Sequence, residues 1–260
     1  VTTAHEQEQP MPLDDDVTAV GAIADDARHE LYRYVVAQPQ PVGREEAAAA
    51  VEMPVHRARF HLEKLEQAGL LETDYARPAG RGGPGAGRPA KRYRRADRTV
   101  AVSLPPREYD LAGSLLATAI DAAAETCEPV TDAVARVATA RGRALGTESA
   151  ARRERGAAAP AGVSGSGAAT ADRRVDDDDA LHAAAEVLAE HGYEPRRTER
   201  GIELTNCPFH ELSRAHTTLV CGMNRALLDG VTETVAPGTL RARLDPAPGR
   251  CCVVIESADP

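Results

Sequence analysis

The sequence has no tryptophan and two phenylalanines, and aromatic residues make up 3% of its 260 positions. Any core is therefore built from alanine, leucine and valine rather than from rings. Lysine is almost missing too: Lys64 and Lys91 are the only two, so arginine carries the positive charge. No apolar run approaches the roughly 20 residues a membrane span needs, and no membrane partner is expected. Val1 to Asp16 is polar and acidic, without the basic-then-apolar order of a secretory signal. Five cysteines are too few for a disulfide scaffold in a chain this long. In a reducing cytoplasm, the expected location, clustered thiols read as metal ligands or redox groups. Signatures of catalysis are missing as well. There is no P-loop, HExxH or GxSxG, so no enzyme is expected.

What is present is an uneven charge. The formal net charge is −9, from 31 basic and 40 acidic residues, yet residues 54–98 hold 11 basic against 5 acidic ones. A concentrated basic stretch in an acidic protein still attracts a polyanion, because the local field governs the contact.

Helical spacing surrounds that stretch. Residues 1–17 read as a disordered tail. Ile23, Ala27, Leu31, Tyr34 and Val35 then recur at helical intervals within Val17–Gln38, and Gln38-Pro39-Gln40-Pro41 stops the helix. Arg44–Val51 is a short alanine-rich helix. A third helix is expected from Pro54 to Ala68, with Ala58, Leu62 and Leu65 on one face at i, i+4 and i+7 and Gly69 as its stop. Leu70–Tyr75 and Lys91–Arg95 read as strands around a Gly/Pro-rich tip, Arg77–Pro89. Three helices followed by such a hairpin make a winged helix-turn-helix, placed at residues 18–100.

Within it, the third helix offers His56, Arg57, Arg59, His61 and Lys64, with Arg57 and Arg59 as the base-reading candidates. His61 reads equally well as a buried helix histidine. The hairpin adds Arg77, Arg81, Arg88, Lys91, Arg92, Arg94 and Arg95 for phosphates. Tyr93 reads as a strand core residue. Double-stranded DNA is the expected partner.

Further along, Leu111, Leu115, Ala119 and Ala122 keep a helical stripe in residues 101–146, expected to be a helical dimerisation region, and Cys127 is expected to pack in it. Residues 147–179 are low in complexity and read as a disordered linker ending in Asp176–Asp179. Residues 180–260 read as a small α+β domain: a helix at Ala180–His191, strands at Gly201–Leu204, Leu240–Leu244 and Cys251–Glu256, and helix over most of Glu211–Val235. The expected fold class is thus mainly α with α+β.

Four of the five cysteines, Cys207, Cys221, Cys251 and Cys252, fall in that last domain. No CxxC pair is present, so a zinc ribbon is not indicated, and widely spaced single thiols suit an iron–sulfur cluster better. On a strand, neighbours face opposite sides, so one of Cys251 and Cys252 at most is expected to reach a shared site. A reversible disulfide switch and buried structural thiols are the other readings.

Two resemblances add to this. Residues Ile23–Tyr93, through Arg59-Phe60-His61-Leu62-Glu63-Lys64-Leu65, Ala68-Gly69-Leu70-Leu71 and the wing Gly85–Tyr93, resemble the ArsR/DeoR-like winged-helix repressors. That resemblance implies a homodimer on an inverted-repeat operator, with the helices after Arg107 as the seam. The tail, through Leu204-Thr205-Asn206-Cys207-Pro208-Phe209-His210, Val220-Cys221-Gly222-Met223-Asn224 and the Cys251-Cys252 strand, resembles the Suf-operon repressor group of iron–sulfur regulators. It implies a [4Fe-4S] cluster on Cys207, Cys221 and one of Cys251 or Cys252. Members of that group can carry a further cysteine near the place of Val235 and Ala236, where this chain has none; His210 or His216 would then be the fourth ligand. The expected function is a transcriptional regulator, a repressor by resemblance, that couples redox or cluster status to operator affinity. The competing readings are a regulator with structural zinc or a thiol switch and a small-molecule pocket, and a metal-dependent enzyme fused to a DNA anchor, for which His210 near Cys207 is the one hint.

Overall fold

The computed structural model describes residues 13–76, 89–157 and 173–258. They fall into two units, one ending at Val102 and the other starting at Ser103. The fold is mainly α with two antiparallel sheets.

In the first unit, Asp25 splits the first expected helix in two. Its carboxylate accepts a hydrogen bond from the Arg28 amide at 3.0 Å, capping a new helix where a continuous one was expected. The result is α1 (Leu13–Ile23) and α2 (Asp26–Val36). Residues 13–17 of the expected tail are therefore helical, and residues 1–12 lie outside the described residues. α1 is anchored at both ends of this unit's sequence: Ala19 is in the core, and Asp16 bonds Arg98 at 2.6 Å.

A two-residue strand, β1 (Val42–Gly43), precedes α3 (Arg44–Ala50) and α4 (Val55–Gln67). Two residues are too few to show a period-2 pattern, which is why β1 was illegible. α4 ends as its sequence dictates. Gly69 takes φ 69°, its amide bonds the Glu66 carbonyl, and the Leu70 amide bonds the Leu65 carbonyl, both at 2.9 Å. This pairing closes the helix and turns the chain into the hairpin. β2 (Leu71–Ala76) and β3 (Ala90–Arg95) pair antiparallel with Thr73 opposite Tyr93, and the sheet order is β1-β3-β2. Ala58, Leu62 and Leu65 are fully buried with Leu31, Val35, Val42 and Tyr93, so the seam of α4 and the ring of Tyr93 lie in the core as expected.

The second unit holds α5 (Tyr109–Thr126), α6 (Val130–Ala157), α7 (Arg173–Glu190), β4 (Pro195–Thr198), β5 (Gly201–Leu204), α8 (His210–Ala215), α9 (Thr217–Val235), β6 (Leu240–Leu244) and β7 (Val253–Ser257). The strands form one antiparallel sheet in the order β4-β5-β7-β6. Three expectations change here. The stripe of α5 was expected to meet a partner chain. Leu115 and Ala119 instead lie in one core with Val134, Leu145, Leu204, Phe209 and Met223, so the helices after Arg107 and the cysteine region fold as one unit. Cys127 lies past the last turn of α5, exposed and at φ 55°, rather than in the stripe. Finally, α6 runs on to Ala157 and α7 takes in Asp176–Asp179. The expected linker is thus helical at both ends, and residues 158–172 lie outside the described residues. Burial explains the extension, since Leu145 and Ser149 are 1% exposed and Arg152 pairs with Glu190 at 2.5 Å.

α6 and α9 approach at glycine. A Cβ on Gly142 would stand 1.9 Å from the Leu227 carbonyl oxygen, and one on Gly230 would stand 2.1 Å from that of Thr139. Only hydrogen fits at either position, so the two helices meet backbone to backbone. This contact holds α9, the carrier of Cys221, against the core.

Candidate nucleic-acid interface and thiol site

A helix turns 100° per residue. With Ala58, Leu62 and Leu65 buried, α4 presents Val55, His56, Arg57, Arg59, Phe60 and Lys64 to solvent. Arg59 is held by Glu63 at 2.8 Å, one turn on, and Lys64 by Gln67 at 3.1 Å. Arg57 makes no such bond and keeps its full set of donors. Of the two arginines expected to read bases, it is therefore the readier one. His61 does not face outward. It is 6% exposed, packed edge-on against Phe60, with Asp25 at 3.9 Å from Nδ1. Burial lowers its pKa below the usual value, opposed by the Asp25 carboxylate. The expectation that His61 contacts DNA gives way to a buried, supporting role, because it lies toward the same side of α4 as Leu65.

The wing is fastened to α4 through Glu66. Lys91 bonds its Oε2 at 2.5 Å and Thr73 donates to its Oε1 at 3.1 Å, so one carboxylate ties both hairpin strands to the helix. Lys91, expected to meet phosphate, is thus engaged within the domain. Arg94 is exposed and pairs with Glu72 at 3.0 Å, Arg95 is exposed, and Arg92 is half-buried. Arg77, Arg81 and Arg88 lie outside the described residues.

In the second unit, three chain segments deliver the four thiols. Cys207 follows β5, Cys221 sits in the second turn of α9, and Cys251 and Cys252 precede β7. The thiol of Cys207 interacts with that of Cys251, Cys251 with Cys252, and Cys252 with Cys221. The pair lies just outside the strand on which alternation was expected, because β7 begins at Val253. Backbone bonds pin them: the Cys251 amide bonds the Leu204 carbonyl and the Asp245 amide the Cys252 carbonyl, both at 2.8 Å. Cys207, Cys221 and Cys251 are buried, Cys252 half-buried. Neighbouring Cys251 and burial push the Cys207 thiol far up. Burial raises Cys221. Cys251 stands at about 11, lowered by Cys207 and raised by Cys252 and burial. Among the described residues, no set of three or more His, Cys, Asp or Glu side chains is drawn tightly enough to hold a metal ion. His210 and His216 are both exposed at the ends of α8.

A buried polar shell lies behind the thiols. Asn224 Nδ2 donates to Cys251 Sγ at 3.3 Å, and its Oδ1 accepts from the Tyr193 hydroxyl at 2.5 Å. Burial, with Cys251 and Cys207 next, keeps the Tyr193 hydroxyl protonated far above its usual range. Asn206 is likewise saturated: it donates to the carbonyls of Gly192 and Pro106 and accepts from Arg107, which also bonds the Cys207 carbonyl at 3.2 Å. The sequence motifs include Asn224 and Phe60 but assign neither a role of its own. Both were findable: Asn224 is one turn from Cys221, and Phe60 lies opposite the buried seam of α4.

A family model described as a helix-turn-helix domain matches residues 23–74. That span covers α2, α3, α4 and most of β2. The match supports a DNA-binding transcription regulator. A search of curated proteins finds no match to the chain. No helix among the described residues is long and apolar enough to cross a membrane.

Proposed function

We propose that this protein is a homodimeric repressor that grips an inverted-repeat operator in double-stranded DNA and whose C-terminal thiols hold an iron–sulfur cluster of the [4Fe-4S] type. Cluster or redox status would set its operator affinity. The observation that supports the sensing half is that three segments of one folded unit bring four thiols near enough to perturb one another in pairs, Cys207 with Cys251, Cys251 with Cys252 and Cys252 with Cys221. Thiolates are the donors such a cluster takes, and a hydrogen bond to a ligating sulfur is one of the protein's levers on it. Cys207, Cys221, Cys251 and Cys252 supply the sulfurs, and Asn224 supplies the N–H. When bound, the cluster would supply one-electron redox chemistry and sensitivity to oxidants.

The chain's own part is to hold the sulfurs and give up their protons. Arg107 and Asn206 fix the carbonyl and backbone of the Cys207 turn, and α9 carries Cys221 on a helix locked by Gly230. Raised thiol pKa values mean that loading releases protons, so it is favoured at higher pH. In the first unit, Arg57 reads base edges and Arg94 and Arg95 meet phosphates. No catalytic role is assigned to any residue.

The test is anaerobic purification followed by visible absorption and iron and acid-labile sulfide determination, on wild type, Cys207→Ser and Cys221→Ser. Iron with matching sulfide in wild type, lost in both variants, supports the reading. Colour indifferent to both substitutions overturns it. Zinc in place of iron gives the structural-metal reading. A metal-free chain whose titratable thiols fall by two on treatment with a disulfide gives the thiol-switch reading, which the interaction between the Cys207 and Cys251 thiols favours among the alternatives.

A further inference from the structure

Phenylalanine is scarce in this chain, and its two copies are used in opposite ways. Phe209 is fully buried, while Phe60 is 54% exposed in the middle of α4. At 100° per residue, Phe60 projects roughly opposite Ala58, Leu62 and Leu65, so it marks the centre of the outward face. His56, Arg57 and Lys64, one turn before and after, flank it. The ring is not loose. It rests edge-to-face on the buried His61 ring at 5.4 Å between centroids and 70° between planes, and the Lys64 ammonium lies 6.0 Å from its centre.

An apolar ring ringed by cations suits a polyanion with an apolar spot better than it suits an apolar protein face. The major groove of DNA offers one apolar group, the 5-methyl of thymine, and phenylalanine is among the side chains that contact it. A phenyl ring makes no hydrogen bond to a base edge, so this methyl is what it can distinguish. We propose that Phe60 reads a thymine methyl in the major groove, beside the base contacted by Arg57, and is a specificity-determining residue of the DNA contact. The proposal rests on α4 entering the groove, the DNA-binding reading above. It assigns a base to the half-site, which that reading does not.

The experiment uses the full chain and a random duplex pool to obtain its preferred sequence. Each thymine is then replaced singly by deoxyuridine, which lacks only the methyl. Wild type should lose about fourfold in affinity at one thymine per half-site, the worth of one buried methyl group. Phe60→Ala should bind the thymine and deoxyuridine duplexes equally, and Phe60→Leu should keep part of the difference. Because the side chain is exposed, both variants should keep the wild-type circular dichroism. No sensitive thymine, or a sensitivity that survives in Phe60→Ala, overturns the proposal. So does a change in oligomeric state in Phe60→Ala with thymine sensitivity intact, which would make Phe60 a protein-contact residue. Failure to enrich any duplex is a different result: it removes the DNA-binding reading first and this proposal with it.

Discussion

Asn224 donates a hydrogen bond to the Cys251 sulfur at 3.3 Å while accepting one from Tyr193 at 2.5 Å. All three residues are at most 4% exposed, so none can trade its partner for water. Asn224→Leu strands the Tyr193 hydroxyl and should cost about 1–3 kcal/mol, the penalty of a buried unsatisfied polar group. Tyr193→Phe strands the amide oxygen and should cost a similar amount. The double variant should be less destabilised than the two singles added together, because both stranded groups are then gone. Urea unfolding of the four proteins reads this directly, and simple additivity would show that the bond contributes nothing of its own.

Glycines of α5 and α6 give a sharper contrast. Gly142→Ala places a methyl against the Leu227 carbonyl and forces α6 from α9, a loss of about 1–3 kcal/mol or more by overpacking. Gly113→Ala, in α5, meets nothing within 4 Å and should stabilise by roughly 0.5–1 kcal/mol, the ordinary helix gain over glycine. Opposite signs in thermal or denaturant melts are the expected outcome.

Thiol reactivity in the metal-free chain follows from burial. Cys127 is exposed and should alkylate first. Cys207, Cys221 and Cys251 are buried with raised pKa values, and Cys251 at about 11 should gain reactivity about tenfold per pH unit between pH 7 and 10. Mass spectrometry after timed iodoacetamide treatment gives the order, and Cys251 reacting as fast as Cys127 at pH 7 would contradict it.

The buried His61 makes the first unit sensitive to acid. Its folded pKa is lowered, chiefly by burial, so the unfolded chain binds the proton more readily. Its contribution is therefore complete above the ordinary value of about 6.5 and shrinks as pH falls below it. His61→Leu should lose less stability than wild type between pH 7.5 and 5.5. His191 is also lowered by burial, so its acid effect should persist in the variant.

On DNA, Arg57→Ala should relax base preference at one position and cost about 1–3 kcal/mol on the preferred duplex. Arg94→Ala should weaken all duplexes alike and flatten the salt dependence by about one unit of slope. Equal loss of preference in both variants would contradict the division of roles.

Legibility in the sequence followed the length and regularity of each signal. α4 was readable because Ala58, Leu62 and Leu65 keep one face over two turns, and β5 and β6 matched residue for residue because they alternate between bounding turns. The break at Asp25 was missed because the apolar stripe runs across it, while the cap that makes it is a single side-chain bond. The stripe of α5 was correctly seen as apolar but assigned to the wrong neighbour, since periodicity says which face is buried and not against what. The thiols were picked out by type and position. That Cys251 and Cys252 lie ahead of β7 rather than on it depended on where the strand starts, which residue types alone do not specify.

The central claim is coupling between the thiol site and the operator. It is tested most directly by measuring operator affinity of one anaerobic preparation before and after its iron is removed by chelation, with Cys207→Ser carried through the same steps. The expected result is a change of at least about fivefold in wild type, the lower end of ordinary coupling, and none in the variant. Identical affinities in iron-loaded and iron-free wild type would contradict it.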